Sequence, residues 1–220
     1  MASFIALEWD SRQARVAIGH GQGEVVVVEQ AFAVALEGGE GDEASSRSVS
    51  ERLRAAFASR GLADAEVLVA VGRSSIELRP LVIPPAPEEE LPEMVKMQAP
   101  RAFSTLGDDW PVDFLPLSGS TTQTWSVLAA AISPTILNQI RKTVTDAGLT
   151  LGRLVLRPFA AASLVLRSRK DASGVRMVVD LLADEADLTV VDERQVMLAR
   201  TVRLPVSYTH LRAHETKANL

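Results

Sequence analysis

The chain opens and closes on the same pattern. Residues 3–9 (SFIALEW), 14–19 (ARVAIG) and 24–34 (EVVVVEQAFAV) are short β-branched or alternating runs separated by Asp-Ser-Arg and Gly-His-Gly-Gln-Gly, which predicts a three-stranded meander. VRMVVDLL (175–182), ADLTVV (186–191) and QVMLARTVRL (195–204) repeat it near the other end. The early meander is thus echoed within the chain, which reads as an internal duplication. The second copy stops after its strands.

Between the meanders the reading is mixed. The stretch 36–48 is rich in Gly, Glu, Asp and Ser and reads as a surface loop. A helix follows, capped by Ser48 or Ser50, with Val49, Leu53, Ala56 and Phe57 on one face and Gly61 as its stop. EVLVAVG (66–72) reads as a buried strand and completes a βββαβ unit. From Ser74 the character is α+β: a strand IELRPLVIP (76–84), then a helix opened by Glu88, Glu89 and Glu90 with Pro92 in its first turn. VDFLPL and TWSVLAAAI form a hairpin around Gly119, and a helix follows with Ser133 as cap, Pro134 at its first position and Gly148 as stop. RLVLR (153–157) is a short strand, and PFAAASLVLRSR a helix leading into the second meander.

Composition narrows the function. The 220 residues are 47% hydrophobic, enough for a sizeable core, and 23 basic residues are scattered among 28 acidic ones for a net charge of −5. A chain so charged offers no broad cationic face, so nucleic acid is not an expected partner. With no cysteine there is no disulfide framework, thiolate chemistry or Cys-ligated metal, which fits a cytoplasmic location. MASFIALEWDSR lacks the basic and apolar regions of a signal peptide, and no run reaches the roughly 20 apolar residues of a membrane span. The last fifteen residues, VSYTHLRAHETKANL, hold the sole tyrosine and break the apolar periodicity. They read as a non-native tail, so the natural protein is expected to be truncated near Pro205.

The βββαβ order is that of the half-domain of actin, Hsp70 and the sugar kinases. Four segments together resemble the PilM family of type IV pilus assembly, relatives of FtsA and of the cytoplasmic domain of GspL. These are the opening meander, SSIELRPLVIPPAPEEELPEMVKMQA, SPTILNQIRKTVTDAGLTLGRLVLRPFAAASL, and VVDLLADEADLTVVDERQVMLARTVRLP. The resemblance implies an α/β, actin-like (ribonuclease H-like) fold with an inserted α+β subdomain and a truncated second half. It divides the chain into 1–73, the first actin-like subdomain; 74–157, the insertion; 158–205, the return helix and the start of the second half; and 206–220, the tail. It also implies a cytoplasmic scaffold, peripheral to the inner membrane, that takes a short peptide from a bitopic PilN-like protein beside the inserted subdomain. Self-association is a further expectation of this fold.

An actin-type ATP site needs two glycine-containing turns that bring backbone N–H groups and hydroxyls onto the phosphates, with an Asp for Mg²⁺. In the first turn, Glu8-Trp9-Asp10-Ser11-Arg12-Gln13, Asp10 stands at the glycine position, where its charge repels a triphosphate. In the second, Asp180 matches the family's acidic residue, but Leu181-Leu182-Ala183-Asp184-Glu185-Ala186 replaces the glycine and threonine. Asp10, Ser11, Arg15, Asp180 and Asp184 therefore mark a degenerate nucleotide site; no cofactor and no catalysis are expected. An active actin-fold ATPase or sugar kinase binding ATP and Mg²⁺ is the alternative. Arg15 reads as a phosphate contact or, preferably, as a solvated strand-end arginine.

No other constellation carries chemistry. His20 is the sole histidine outside the tail, and GHGQG joins two strands instead of preceding a helix, so it reads as a hairpin turn. His210 and His214 have zinc-pair spacing but lie in the tail. Arg73 and Arg79 flank the entry to the insertion, where they pair with Glu77 or Glu88 or meet a peptide's carboxylates. Ile76 on its strand and Trp110 in the Asp108-Asp109-Trp110 turn are the candidate edge and anchor for an extended peptide, with core packing as the competing reading for the strand's apolar residues.

Overall fold

The two meanders form, and they belong to separate sheets. The computed structural model describes residues 2–22, 25–36, 48–103, 106–107, 109–168, 174–192 and 195–204. The first meander is β1 (Ala2–Trp9), β2 (Gln13–Gln22) and β3 (Val25–Ala35), paired antiparallel. Parallel to β1 runs β4 (Glu66–Val71), reached through α1 (Val49–Ala58). Ser48 and Glu51 close a reciprocal capping box at the start of α1, so its ending amides are satisfied from the sequence's own Ser-x-x-Glu.

GHGQG is not the hairpin turn. Gly19 to Gln22 continue β2, and Gly23 lies outside the described residues. The register shifts at Ile18/Gly19, and a Cβ at Gly19 would collide with the Val27 carbonyl oxygen. Glycine there permits a bulge in which β3 comes close to β2.

The insertion is a three-stranded sheet of order β5-β7-β6 backed by one helix: β5 (Ile76–Ile83), α2 (Leu91–Ala102), β6 (Val112–Ser118) and β7 (Trp125–Ile132). Its core of Leu81, Ile83, Leu91, Val95, Val127 and Ala129 is separate from that of the first sheet.

The expected boundary at residue 157 moves. α3 (Pro134–Asp146) and β8 (Thr150–Leu156) do not pack with the insertion: β8 joins the first sheet beside β4, giving the order β3-β2-β1-β4-β8. Ile140 and Val144 of α3 share one core with Leu53 and Phe57 of α1 and with Leu7, Val16 and Val69 of the sheet. The cause is hydrophobic patterning. The stripe of α3 meets that of α1, while α2 covers the face of the insertion's sheet that carries Leu81, Ile83, Val127 and Ala129. The inserted unit is therefore residues 76–132.

Helix α4 (Arg157–Ser168) leads to the second meander, β9 (Val175–Leu181), β10 (Glu185–Asp192) and β11 (Gln195–Arg203), in the order β11-β10-β9. α4 packs against all three strands, on the face that carries Asp187, Thr189 and Val191. The result is the actin-like α/β architecture, with its second half represented by the meander and α4. No described helix is long and apolar enough to cross a membrane.

Candidate functional site

The two β-turns meet where the halves join. In the β1–β2 turn the Asp10 carboxylate folds back on its own backbone: Oδ1 accepts the amides of Arg12 (2.8 Å) and Gln13 (2.9 Å), and Oδ2 accepts Arg15 Nη2 (3.0 Å). Arg15 Nη1 reaches Glu8 at 3.0 Å, so one guanidinium bridges two carboxylates. Burial raises the Asp10 pKa, but the Gln13 and Arg12 amides and the Arg15 charge outweigh it and hold the group below the ordinary aspartate value.

In the β9–β10 turn the organiser is a residue that sequence reasoning missed. Arg157, the first residue of α4, is 7% exposed and gathers three carboxylates. Its Nη2 donates to Asp187 (2.6 Å) and Glu185 (3.0 Å), its Nε to Asp187 (3.1 Å), and Asp180 stands 3.4 Å from Nε. Thr201 donates to the other Asp187 oxygen at 2.6 Å, and Ser74 to Glu185 at 3.1 Å. Desolvation lowers the Arg157 pKa, yet the bonds to Asp187 and Glu185 more than reverse this and raise it. Gly72 lies against the cluster: a Cβ there would sit 2.9 Å from both Arg157 Nη2 and Glu185 Oε1. The signal available in the sequence was slight, an arginine before a helix and acidic residues at alternate strand positions.

The turns also touch each other. Ser11 Oγ donates to Asp184 Oδ2 at 2.5 Å, across 173 residues of chain. The structure thus brings Asp10, Ser11, Arg15, Asp180 and Asp184 into one region. Backbone amides, hydroxyl and cations there are engaged by the protein's own carboxylates. Among the described residues no group of three or more His, Cys, Asp or Glu could hold a metal ion.

A second region lies between the insertion and the second sheet. There a cleft of about 750 Å³ is lined by Arg73, Arg79, Arg200 and Arg203 against one acidic residue, Glu185. Leu78, Pro80, Leu117, Leu128 and Phe159 add apolar wall. Two edge strands border it, since β5 and β11 each end their sheets. Arg79 stands 3.5 Å from Glu77, whereas Arg73 donates Nη1 to the Ile76 carbonyl and leaves its Nε buried without a hydrogen-bond partner. Burial and then the Arg79 charge depress the Arg73 pKa, with Arg200 adding to the effect and Glu77 and Asp187 opposing it. Ile76 packs against the core of the first sheet and Trp110 against the core of the insertion, so neither lines the cleft. Asp108 and the histidines at 210 and 214 lie outside the described residues.

No protein-family model matches the sequence, and no curated protein does. Solved structures do match. A chain of the PilM-PilN type IV pilus biogenesis complex superposes with a TM-score of 0.77 at 20% identity, covering 94% of this chain and 63% of that one. The cytoplasmic domain of EpsL, an inner membrane component of the type II secretion system of Vibrio cholerae, gives a TM-score of 0.58 at 16% identity, over 92% of this chain and 71% of that one. At such identities the likeness is one of fold, and this chain spans less than two thirds of the PilM-PilN chain's length. The protein has the actin-like fold of these pilus and secretion components, as its paired meanders led us to expect.

Proposed function

We propose that this chain is a scaffold of a pilus or secretion assembly platform, cytoplasmic and peripheral to the inner membrane. In this reading it holds an extended peptide of a PilN-like inner-membrane partner in the cleft between the insertion and the second sheet. The observation that carries it is the cleft: four arginines facing one glutamate, an apolar wall, and a free strand edge on either side, in a chain whose net charge is −5. A bound segment then has apolar residues for the wall, one or more carboxylates for the arginines, and backbone groups for β5 or β11. The buried, unpartnered Arg73 Nε among like charges supports an anionic occupant. The likeness to a chain of the PilM-PilN complex supports the choice of partner.

The turns carry no nucleotide in this reading. A triphosphate would have to displace Asp10 from the Arg12 and Gln13 amides and Asp184 from Ser11, and would bring its charge beside both carboxylates. The residues present do not fit Mg-ATP.

Calorimetric titration tests both statements. An N-terminal peptide of a PilN-like membrane protein is expected to bind saturably, and Arg79→Glu with Arg200→Glu to weaken it at least tenfold; a peptide giving no heat sinks the adaptor reading. Mg-ATP is expected to give no saturable heat, and micromolar binding abolished by Asp180→Ala would favour an ATPase instead.

A further inference from the structure

The cleft between the insertion and the second sheet sets the face of one sheet against the edge of the other. Pro80 of β5 pairs with Leu128 of β7, so Leu78, Pro80 and Leu128 share a face, and all three line the cleft. It is the face opposite Leu81, Ile83, Val127 and Ala129, the core under α2. β11 meets this wall edge-on. Consecutive residues from Val196 to Thr201 line the cleft, as an edge presents them and a face does not.

The two bordering strands differ in what their edges have left to offer. In β5 the Ile76 amide donates to the Arg73 carbonyl, and the Ile76 carbonyl accepts Arg73 Nη1. Two residues on, the Leu78 carbonyl accepts Arg79 Nη1 at 3.1 Å. Pro80 follows in the same phase and has no N–H. The groups that this stretch of β5 turns away from β7 are thus mostly taken by its own arginines or missing. In β11 the Leu204 amide donates to the Asp184 carbonyl at 2.9 Å, and the pairs Ala186–Val202 and Leu188–Arg200 carry that phase along the strand. Arg200 and Val202 therefore bond to β10, whereas Ala199 and Thr201 turn their N–H and C=O groups into the cleft.

We propose that the occupant of the cleft pairs with β11 and not with β5, as an extended segment added to the edge of the second sheet. The inference rests on the peptide reading and says which backbone receives the peptide. A strand at this edge alternates its side chains between the two faces of the second sheet. One row falls beside Phe159 and Thr201, on the face that α4 covers, and the other beside Leu198 and Arg200. The segment that fits carries apolar residues in the first row and a carboxylate in the second, at alternate positions. Arg73 and Arg79 cap the β5 edge against the same segment, and Arg73 keeps its unpartnered Nε for the segment's charge.

Hydrogen exchange on the unaltered chain, with and without a saturating N-terminal peptide of a PilN-like membrane protein, tests this. The peptide is expected to slow exchange at the Ala199 and Thr201 amides at least tenfold and to leave the Leu78 amide unchanged. Calorimetry on two variants gives an independent reading. Ala199→Pro removes one cleft-facing N–H without touching a bond to β10, and is expected to weaken binding at least tenfold. Ala199→Val, of similar bulk with its N–H intact, is expected to stay within about threefold of the parent. Equal losses in the two variants, or none in either, overturn the β11 pairing. So does a peptide that binds without protecting Ala199 and Thr201, or that protects Leu78 in their place, and these outcomes leave the peptide reading standing. A peptide that does not bind removes both.

Discussion

The two turns solve the same electrostatic problem on different length scales. At the β1–β2 turn a carboxylate is compensated by amides two and three residues ahead and by an arginine five residues ahead, in a setting where Arg15 is 33% exposed. At the β9–β10 turn the carboxylates are compensated by one buried arginine 28 and 30 residues away, on the helix that enters the second half. The first arrangement closes a turn. The second joins sheets, because Arg157 follows directly on β8 of the first sheet while Asp187 and Glu185 belong to β10.

Arg157→Ala is the strongest way to break this comparison. It strands Asp187, whose side chain is 1% exposed, beside Asp180 and Glu185 with no cation, and removing one partner of a buried pair costs about 3–5 kcal/mol. Arg15→Ala removes a partly solvated pair and is expected to cost less than about 1 kcal/mol. Urea unfolding of both variants measures the difference; equal losses would mean that the second cluster is no more buried in effect than the first.

Gly72→Ala follows in size. The added methyl meets Arg157 and Glu185 at 2.9 Å, and overpacking of this kind costs about 1–3 kcal/mol. Since the clash is with Arg157, the penalty is expected to shrink in an Arg157→Ala background, where a double-mutant cycle reads the coupling. Additive losses would place the strain elsewhere.

What could be read in the sequence follows the same division of length scales. The cap of α1 at Ser48, one of the two serines read for it, the start of α3 at Ser133-Pro134 and both meanders are set by residues close in sequence, and all formed as expected. The pairing of β8 with β4 was missed because a five-residue apolar strand carries no mark of its neighbour, and α3 went with it to the wrong unit. GHGQG was misread because glycine there serves a close approach by β3, a demand that its own neighbours do not reveal. At the candidate site, Asp10, Ser11 and Asp184 could be named from their turns. Arg157 could not, since its partners are distant in sequence. Of the cleft between the insertion and the second sheet, Arg73 and Arg79 were visible at the entry to the insertion, but their gathering with Arg200 and Arg203 depends on how β11 lies against β5.

The local arrangement also predicts a pH dependence, carried by Asp10. The Asp10 pKa is lower in the folded chain than its ordinary value, so its contribution is present above the usual aspartate range and is lost as pH falls through and below it. Asp10→Asn is expected to cost about 1 kcal/mol at neutral pH and to flatten the stability profile below pH about 4. Arg157 stays charged across the accessible range, its pKa being raised from an already high value, so it adds no slope of its own. Thermal or urea midpoints from pH about 7 down to 3 test this; a variant whose profile parallels the parent's would remove Asp10 from the acid response.

The smallest expected effect bears most directly on whether the turns act together. Ser11 and Asp184 are exposed, and a solvated hydrogen bond between them contributes about 0.5–1 kcal/mol at most, so Ser11→Ala is expected to be nearly silent in global unfolding. Its consequence is local: the bond links a turn of the first sheet to a turn of the second at a place where Arg157 already ties them. Hydrogen exchange is the suitable measurement. If the bond holds the turns in contact, Ser11→Ala speeds exchange at the β9–β10 turn as well as at its own, with the backbone bonds inside each turn left intact. Faster exchange confined to the β1–β2 turn would mean that the bonds of Arg157 and Ser74 couple the halves without Ser11, and the comparison drawn above would then hold in full: one turn closes itself, and the other joins the two halves.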